Sequence, residues 1–448
     1  MDFLKLTEEL CAIPTGIVCD GNETLFSRIH SEVPLEIHRY PSGQEFNGWT
    51  IPNKWTVQRA IIKSNGRVIY DGKSSPLGVA HYSRSFIGNL SLDELKPHLF
   101  SRPDMPTAIT YHCSWLYQPW REEWGFCLPY NLVKSLENGL YEVDLRTTFE
   151  AGLMLLGVAS KPGKSNKTIV FNTNNCHPHM ASDGFAGTAV LIRLLQWLST
   201  YDTHYSYKLL IAPEHYGSVF YLRDRTREEI RDFVGGLFAE MLGNKGPFVV
   251  ASTFNGDTLI DRAFKYAAKH YAENPRFVGF RETAGNDETV WEAPGYEVPF
   301  VQVARSNDRN KHYPEYHTDL DNADLMNHDL LAEAFNVFKK AIQIIESNFT
   351  ITRKFNGLIS LSNPIYNLYI TRVDPAVAAD ERMESSASWG RLQDCLPRYF
   401  DGRTTVLDIA ERHNLDFFEL LKYLELFREK NLVEFGFQEI DRQQIVWV

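Results

Sequence analysis

The sequence lacks the apolar segments that would place it in a membrane or send it across one. It contains no run of about 18 apolar residues, the length that a membrane-spanning helix needs. Residues 1–10 are acidic and amphipathic, without the basic region and apolar stretch of a signal peptide. We therefore expect a cytoplasmic protein that has no membrane partner.

Paired cysteines and an excess of positive charge are also missing. The six cysteines show no Cys-x-x-Cys spacing, and in a cytoplasmic protein we expect them to be reduced thiols. The 46 Lys and Arg residues are outnumbered by 57 Asp and Glu residues, which gives a net charge of −11. Nucleic-acid binding needs a basic surface, so we expect no nucleic-acid partner. No internal repeat and no low-complexity tract is present.

The composition divides the 448 residues into three parts, and the length is sufficient for two or three domains. Residues 45–139 are rich in Trp, Tyr, Pro and Gly, with frequent turn signals, and this predicts an inserted β-rich domain. Residues 1–44 and 140–350 flank the insertion and are assigned to one core. Residues 351–448 are assigned to a C-terminal domain.

Strand and helix patterns alternate along the core, which is typical of an α/β fold with a largely parallel sheet. A strand is predicted at 139–146 and buried strands at 167–174, 208–212, 233–239 and 298–303. Helices are predicted at 184–198 and 330–345. Ligands of such sheets collect at the carboxyl ends of the strands.

The C-terminal part follows the order of a winged-helix domain. Two helices, 404–413 and 414–427, are expected to meet tightly at Asn414, and short strands follow at 432–436 and 444–448. The second helix carries Asp416, Glu419 and Glu425 against Lys422 alone, whereas a helix that contacts DNA should be basic. We expect this part to serve in packing or in forming a homo-oligomer.

A two-metal hydrolase site is indicated by six residues at or after the strand ends: His177, Asp183, Glu214, His215, Glu240 and His317. Zinc is held by His nitrogen and carboxylate oxygen, with one open position for water. We predict that His177 and Glu240 hold one ion and that His215 and His317 hold the other. Asp183 would bridge the ions, and Glu214 would act as the general base on the attacking water.

Each of these residues also has a purely structural interpretation. Asp183 could cap the helix that follows it, and Glu240 could belong to an edge strand. A lone histidine is more often structural than a ligand, but the proximity of His177 to Asp183 favours a ligand role. Asp287 and Glu288 could bind a substrate ammonium group or could lie in a solvated loop.

Three of these segments resemble the metal-site motifs of the clan MH zinc aminopeptidases, which are Glu-Glu-x-Gly, Asp-Met-Ile-Gly and His-Thr-x-x-Asp. Here they are Pro213–Ser218, Glu240–Gly243 and Tyr316–Asp321. Nearly the whole chain resembles bacterial aminopeptidase-like proteins with an inserted small β domain and a C-terminal winged helix. The matching segments are Trp49–Trp55, Glu123–Asn131, Cys176–Asp183 and Tyr316–Asn322.

The resemblance implies a phosphorylase/hydrolase-like three-layer α/β core with a mixed, largely parallel sheet. It also implies a hydrolase that uses one or two zinc ions, with His177, Asp183 and His317 as ligands and Glu214 as base. Two positions depart from the wider group. Glu240 is one carbon longer than the corresponding aspartate, and His215 stands where those enzymes have a glutamate ligand.

Three functions are compatible with these residues. The first is an aminopeptidase-like hydrolase that cuts an amide near a free amino group, in a peptide or a small aminoacyl metabolite. The second is a non-catalytic regulatory protein built on a degenerate peptidase core. The third is metal-dependent aminoacyl transfer or cyclisation, which needs the same polarised carbonyl and the same base.

Overall fold

The computed structural model describes residues 2–369, 392–393 and 395–442. The strands of this part of the chain are β1 Glu36–Pro41, β2 Glu45–Phe46, β3 Trp49–Thr50, β4 Lys54–Ser64, β5 Arg67–Asp71, β6 Phe86–Ser91, β7 Leu99–Phe100, β8 Phe126–Cys127, β9 Leu140–Glu150, β10 Leu153–Lys161, β11 Thr168–Asn174, β12 Ser206–Ala212, β13 Phe233–Ala239, β14 Phe248–Ala251, β15 Arg276–Val278, β16 Phe300–Arg305, β17 Thr350–Arg353, β18 Asp401–Thr405 and β19 Val433–Gly436.

The α-helices of the same residues are α1 Phe3–Cys11, α2 Gly21–His30, α3 Leu92–Leu95, α4 Tyr130–Lys134, α5 Ala186–Leu198, α6 Tyr216–Arg223, α7 Arg227–Asp232, α8 Leu259–Tyr271, α9 Glu288–Trp291, α10 His328–Ser347, α11 Val406–His413 and α12 Phe417–Glu429. Among these described helices, none combines the length and the apolar character that crossing a bilayer requires.

An eight-stranded sheet with the order β1-β10-β12-β11-β13-β16-β14-β15 organises the fold. Its centre is parallel, because β12, β11, β13 and β16 run in one direction. Antiparallel pairs join β1 to β10, β10 to β12 and β14 to β16. The four buried strands predicted from the sequence form the parallel centre, so the prediction of a mixed, largely parallel sheet is confirmed.

Alternate residues of the central strands face two helical layers. On β12, Leu209 and Ile211 lie in the apolar cluster that contains α1, α5, α8 and α10. Leu210, between them, lies in the cluster that contains α6 and α9. Successive side chains of a strand point to opposite faces, so a sheet that is covered on both sides needs strands that are apolar throughout. The core therefore has three layers, as expected.

A second sheet of four strands, in the order β5-β4-β9-β6, lies outside this core. The strand β9 was predicted as part of the core, but it pairs with β4 and β6. The chain then enters the eight-stranded sheet with β10, which was not predicted. The placement of β9 in the core is therefore corrected, and the division of the chain into three domains stays a prediction.

The C-terminal part contains the two predicted helices, α11 and α12. Asn414 between them has a left-handed backbone, with φ of 49°. The predicted strand β19 is also present, in a three-stranded sheet with the order β18-β17-β19. The other predicted strand, 444–448, lies outside the described residues. The winged-helix assignment therefore stays a prediction.

The start of α12 contacts the core. The Tyr271 hydroxyl of α8 donates a hydrogen bond of 2.8 Å to Asp416, and Lys269 donates one of 2.9 Å to Asn414. The guanidinium of Arg262, also on α8, lies 2.7 Å from Asp408 and 2.5 Å from Glu411. These contacts support the expectation that the C-terminal part serves in packing.

Helix α5 packs closely against strand β13 at Gly187, and this contact can be tested by substitution. A Cβ atom on Gly187 of α5 would lie 2.3 Å from the backbone oxygen of Ala239 on β13. Although alanine is the better helix former, we expect Gly187→Ala to reduce the free energy of unfolding by about 1–3 kcal/mol, because the helix must move away from the strand. Chemical unfolding with urea measures this loss.

Gly139→Ala is the matched control, because its added Cβ would have no other atom nearer than 4.0 Å. This variant should change the free energy of unfolding by less than about 0.5 kcal/mol. Equal unfolding midpoints for the two variants would contradict the close contact between α5 and β13.

Candidate metal centre and active site

The candidate site lies where three parallel strands end side by side. Asn174 at the end of β11 is paired with Ala212 at the end of β12. On the other side of β11, Asn172 is paired with Phe238 of β13. The segments that contain His177, Glu214 and Glu240 come directly after these strands. The common register of the strands brings the three segments together at the carboxyl edge of the sheet.

His177, Asp183 and His317 converge there, and we call them the His–Asp–His triad. One ligand atom from each lies within 4.8 Å of the ligand atoms of the other two. The Nε2 atoms of His177 and His317 lie 3.0 Å and 3.5 Å from Oδ2 of Asp183. The centroids of the two imidazole rings are 5.2 Å apart. Among the described residues, no other group of His, Cys, Asp and Glu meets the same criterion.

The backbone fixes which nitrogen of His177 faces Asp183. Its Nδ1 lies 2.8 Å from the backbone oxygen of Pro178, so Nδ1 carries a hydrogen and donates a hydrogen bond to that carbonyl. A metal-ligating histidine is oriented in the same way, with one nitrogen bonded to a carbonyl and the other directed at the ion. The Tyr111 ring stacks on the His177 ring, with centroids 4.3 Å apart.

Asp183 lies in a short π-helical turn, Ala181–Phe185, and does not cap α5. The helix begins after Phe185, which makes no side-chain capping bond, so the capping interpretation is wrong. The turn is held by Asp321, whose carboxylate accepts hydrogen bonds from the backbone N–H groups of Ser182 and Asp183, at 2.7 Å and 3.2 Å. Asp321 is fixed in turn by the Tyr313 hydroxyl, at 2.7 Å.

Asp183 keeps its negative charge although it is buried. Burial alone would raise the pKa of Asp183, but the hydrogen bonds and charges of His177 and His317 outweigh burial and lower it below its usual range. Burial alone would lower the pKa of His177, because it also disfavours a charged imidazole. The hydrogen bond to Asp183 and its charge outweigh burial and raise the pKa of His177. The triad is therefore a stable pairing of carboxylate and imidazoles in a site that is largely shielded from water.

His317 is held by a segment from the predicted insertion. The backbone N–H of Tyr111 donates a hydrogen bond of 2.8 Å to the His317 carbonyl. Thr110 and Thr318 form an antiparallel bridge, and Asp319 accepts a bond of 2.8 Å from the Ile109 backbone. The sequence analysis missed this segment, because no local pattern marks residues 109–111 as partners of a loop some two hundred residues away.

Glu214 and His215 occupy the turn between β12 and α6. The Tyr117 hydroxyl donates a bond of 2.6 Å to Oε2 of Glu214, and Nδ1 of His215 lies 3.7 Å from Oε1. His215 has φ of 57° and ψ of −55°, and the Tyr216 backbone N–H donates a hydrogen bond of 2.6 Å to the Glu214 carbonyl, so His215 is the central residue of a γ-turn with positive φ, a rare and strained conformation. The turn is tight, because a Cβ on Gly217 would lie 2.3 Å from Cβ of Ala212.

Glu240 is fully buried beside the triad but outside it. Its Oε2 accepts a hydrogen bond of 2.9 Å from the Asn286 amide, and its Oε1 accepts one from the Gln302 amide. Burial and the charges of Asp183, Glu288 and Glu214 raise the pKa of Glu240. The edge-strand interpretation of Glu240 is wrong, since β13 is flanked by β11 and β16.

Asp287 and Glu288 are buried as well, so their interpretation as a solvated loop is wrong. Asp287 accepts a bond of 3.1 Å from the His215 backbone, and burial raises the pKa of Asp287 to about 6. Both oxygens of Glu288 accept bonds of 2.8 Å from the Asn286 backbone, and burial raises the pKa of Glu288 to about 7. Their predicted role in binding a substrate ammonium stays a prediction.

Residues 4–348 match the family described as domain of unknown function DUF4910. A curated protein of Clostridium acetobutylicum is 32% identical over 350 residues, which are 78% of this chain and 79% of that protein. The name of that protein gives it an aminopeptidase-like domain and a proposed role in polysaccharide biosynthesis.

Solved structures show the same architecture. A proposed peptidase from Clostridium acetobutylicum matches with a TM-score of 0.80 and 27% identity, over 97% of this chain and 96% of that one. BSAP, a zinc aminopeptidase from Bacillus subtilis, matches with a TM-score of 0.57 and 13% identity, over 76% of this chain and 92% of that one. The second likeness concerns the fold alone, and membership of clan MH stays a prediction. The chain belongs to the DUF4910 family, and its core has an aminopeptidase-like α/β fold.

Proposed function

We propose that this protein is a metal-dependent hydrolase that cuts an amide bond near a free amino group, in a peptide or a small aminoacyl metabolite. The observation that carries the proposal is the convergence of the His–Asp–His triad with Glu214 at one edge of the sheet. The aminopeptidase-like domain named for the 32% identical relative supports the reaction class. The acidic residues Asp416, Glu419 and Glu425, against Lys422 alone, favour an enzyme over a regulator that would contact DNA through α12.

The triad fits a zinc ion by the chemistry of its donors. Two imidazole nitrogens and one carboxylate oxygen are typical zinc ligands, and three protein ligands leave a fourth position open. Asp183 carries the negative charge that such a site needs, and Nδ1 of His177 is already bonded to a carbonyl, which leaves Nε2 for the ion. When bound, zinc would polarise the amide carbonyl and make water more acidic.

Glu214 is the residue of this edge suited to move a proton. It lies outside the triad, and it is partly open to solvent, with 28% of its side chain exposed. The Tyr117 hydroxyl holds Oε2, so Oε1 remains the oxygen that can take a proton from an attacking water. The proton can then pass to the departing amine from the same carboxyl group.

Metal content tests the triad directly. Protein purified in zinc-replete buffer should retain zinc after dialysis, whereas His177→Ala and His317→Ala should bind it at least about tenfold more weakly, because each loses a ligand. Elemental analysis measures the retained metal. His328→Ala, a change at a half-exposed histidine outside the site, is the control and should retain zinc. Equal retention in all three variants would contradict the assignment.

The same measurement tests the prediction of two ions, one held by His177 and Glu240 and the other by His215 and His317. Each oxygen of Glu240 accepts one bond from an amide, so an ion bound there would use a remaining lone pair or replace one of these bonds. If the second ion binds, wild-type protein should hold two zinc ions and Glu240→Gln should hold one. One ion in both proteins would show that this part of the prediction is wrong.

The role of Glu214 is tested by turnover of aminoacyl amides such as alaninamide and leucinamide. Loss of the base should reduce the turnover rate by about 100-fold or more, so Glu214→Gln should be nearly inactive while it retains wild-type zinc content. Glu228→Gln, which changes an exposed carboxylate of α7, should remain fully active. Full activity of Glu214→Gln would exclude this residue as the base.

A further inference from the structure

We infer that four aromatic residues beside Glu214 form a subsite for an aromatic or large aliphatic side chain of the substrate. This inference rests on the proposed function and names the class of substrate that the site would prefer. The residues are Trp49, Tyr117, Trp120 and Tyr216, and together with a short hairpin they line a cavity of about 250 Å³, which we call the aromatic pocket.

One wall of the aromatic pocket is built by the hairpin of β2 and β3. Phe46 is paired with Trp49 across the turn, and Asn47 and Gly48 have φ of 48° and 84°. Positive φ at both central residues is typical of the tight turns that Asn-Gly favours. The turn presents Trp49 to the site, where its ring lies parallel to that of His215, with centroids 5.8 Å apart.

The other wall connects the aromatic pocket to the proposed base. The Tyr117 ring lies nearly parallel to the Tyr216 ring, with centroids 6.0 Å apart and an angle of 20°. The hydroxyl of the same Tyr117 donates to Glu214 at 2.6 Å. The aromatic pocket is therefore separated from the proposed reaction centre by a single side chain, and a group bound in it would belong to the part of the substrate next to the amide that is cut.

The hydroxyl groups of Tyr117, Tyr216 and Thr50 in these walls are already bonded within the protein. The Tyr117 hydroxyl is bonded to Glu214, and the Tyr216 hydroxyl donates to the Leu116 carbonyl at 3.2 Å. The Thr50 hydroxyl at the rim donates to Glu45 at 3.2 Å. The surface that remains for a ligand consists largely of ring faces, together with the indole N–H groups of Trp49 and Trp120 and the side chain of Asn47. Such a surface suits a flat or apolar group better than a sugar, whose hydroxyls would need partners.

Trp120 is the most exposed of the four aromatic residues that line the aromatic pocket. The residue is 71% exposed, and a large aromatic residue gains stability when it is covered. The volume of the aromatic pocket equals that of about eight waters of the bulk liquid, which is room for the side chain of phenylalanine or leucine. A side chain of this kind would cover the Trp120 ring.

The experiment compares kcat/KM for phenylalaninamide, leucinamide and alaninamide in three proteins: wild type, Trp120→Ala and the control Phe254→Ala. Phe254 is 73% exposed and lies outside the aromatic pocket. Wild type should prefer phenylalaninamide over alaninamide by at least about tenfold, because the larger side chain fills an apolar pocket. Trp120→Ala should reduce this preference by about three- to tenfold, and Phe254→Ala should leave it unchanged.

Calorimetric titration with phenylalaninamide and with methyl glucoside separates the two proposals. If no amide is cut but phenylalaninamide binds to wild type and not to Trp120→Ala, the aromatic pocket is supported and the proposed hydrolysis fails. If all amides are cut without preference in both proteins, the aromatic pocket is overturned and the hydrolysis stands. The aromatic pocket is also overturned if methyl glucoside binds more tightly than phenylalaninamide. It is overturned as well if phenylalaninamide neither binds nor is cut.

Discussion

The charge of Asp183 is the constraint on which the rest of the site depends. A carboxylate in the interior of a protein is costly unless opposite charge and hydrogen bonds surround it. Here two imidazoles face Asp183, and a second carboxylate, that of Asp321, holds the turn that presents it. Burial raises the pKa of Asp321 to about 7, while the histidines lower that of Asp183. The pKa values of these two neighbouring carboxyl groups are thus shifted in opposite directions. The negative charge is concentrated on Asp183, where a cation would bind.

Local patterns in the sequence predicted the part of the fold that depends on local chemistry. The runs at 169–171, 209–212 and 233–239 contain no polar side chain because both faces of the sheet are covered, and each lies in a central strand. The edge of the sheet was not predictable in this way. The alternating apolar and polar residues of β9 are typical of a sheet with one exposed face, which distinguishes β9 from the central strands, but this pattern does not identify β4 and β6 as its partners.

The residues of the site that could be predicted are those whose side chains can themselves bind a metal or move a proton. The three members of the triad were indicated by their positions at or after predicted strand ends and by the closeness of His177 to Asp183 in the sequence. Tyr111 and Tyr117, which contact His177 and Glu214, gave no such signal, because these contacts join segments distant in sequence and a tyrosine in a loop is common without any function. Asp321 is the last residue of the His-Thr-x-x-Asp motif, and the structure shows that it holds the turn that carries Asp183.

The central claim is that the His–Asp–His triad binds a divalent cation. Diffraction data collected above and below the zinc absorption edge, from crystals of protein purified in zinc-replete buffer, test it most directly. The account predicts an anomalous difference peak among His177, Asp183 and His317 that disappears below the edge. Fully ordered triad side chains without such a peak, or a peak bound only by other residues, would contradict the account.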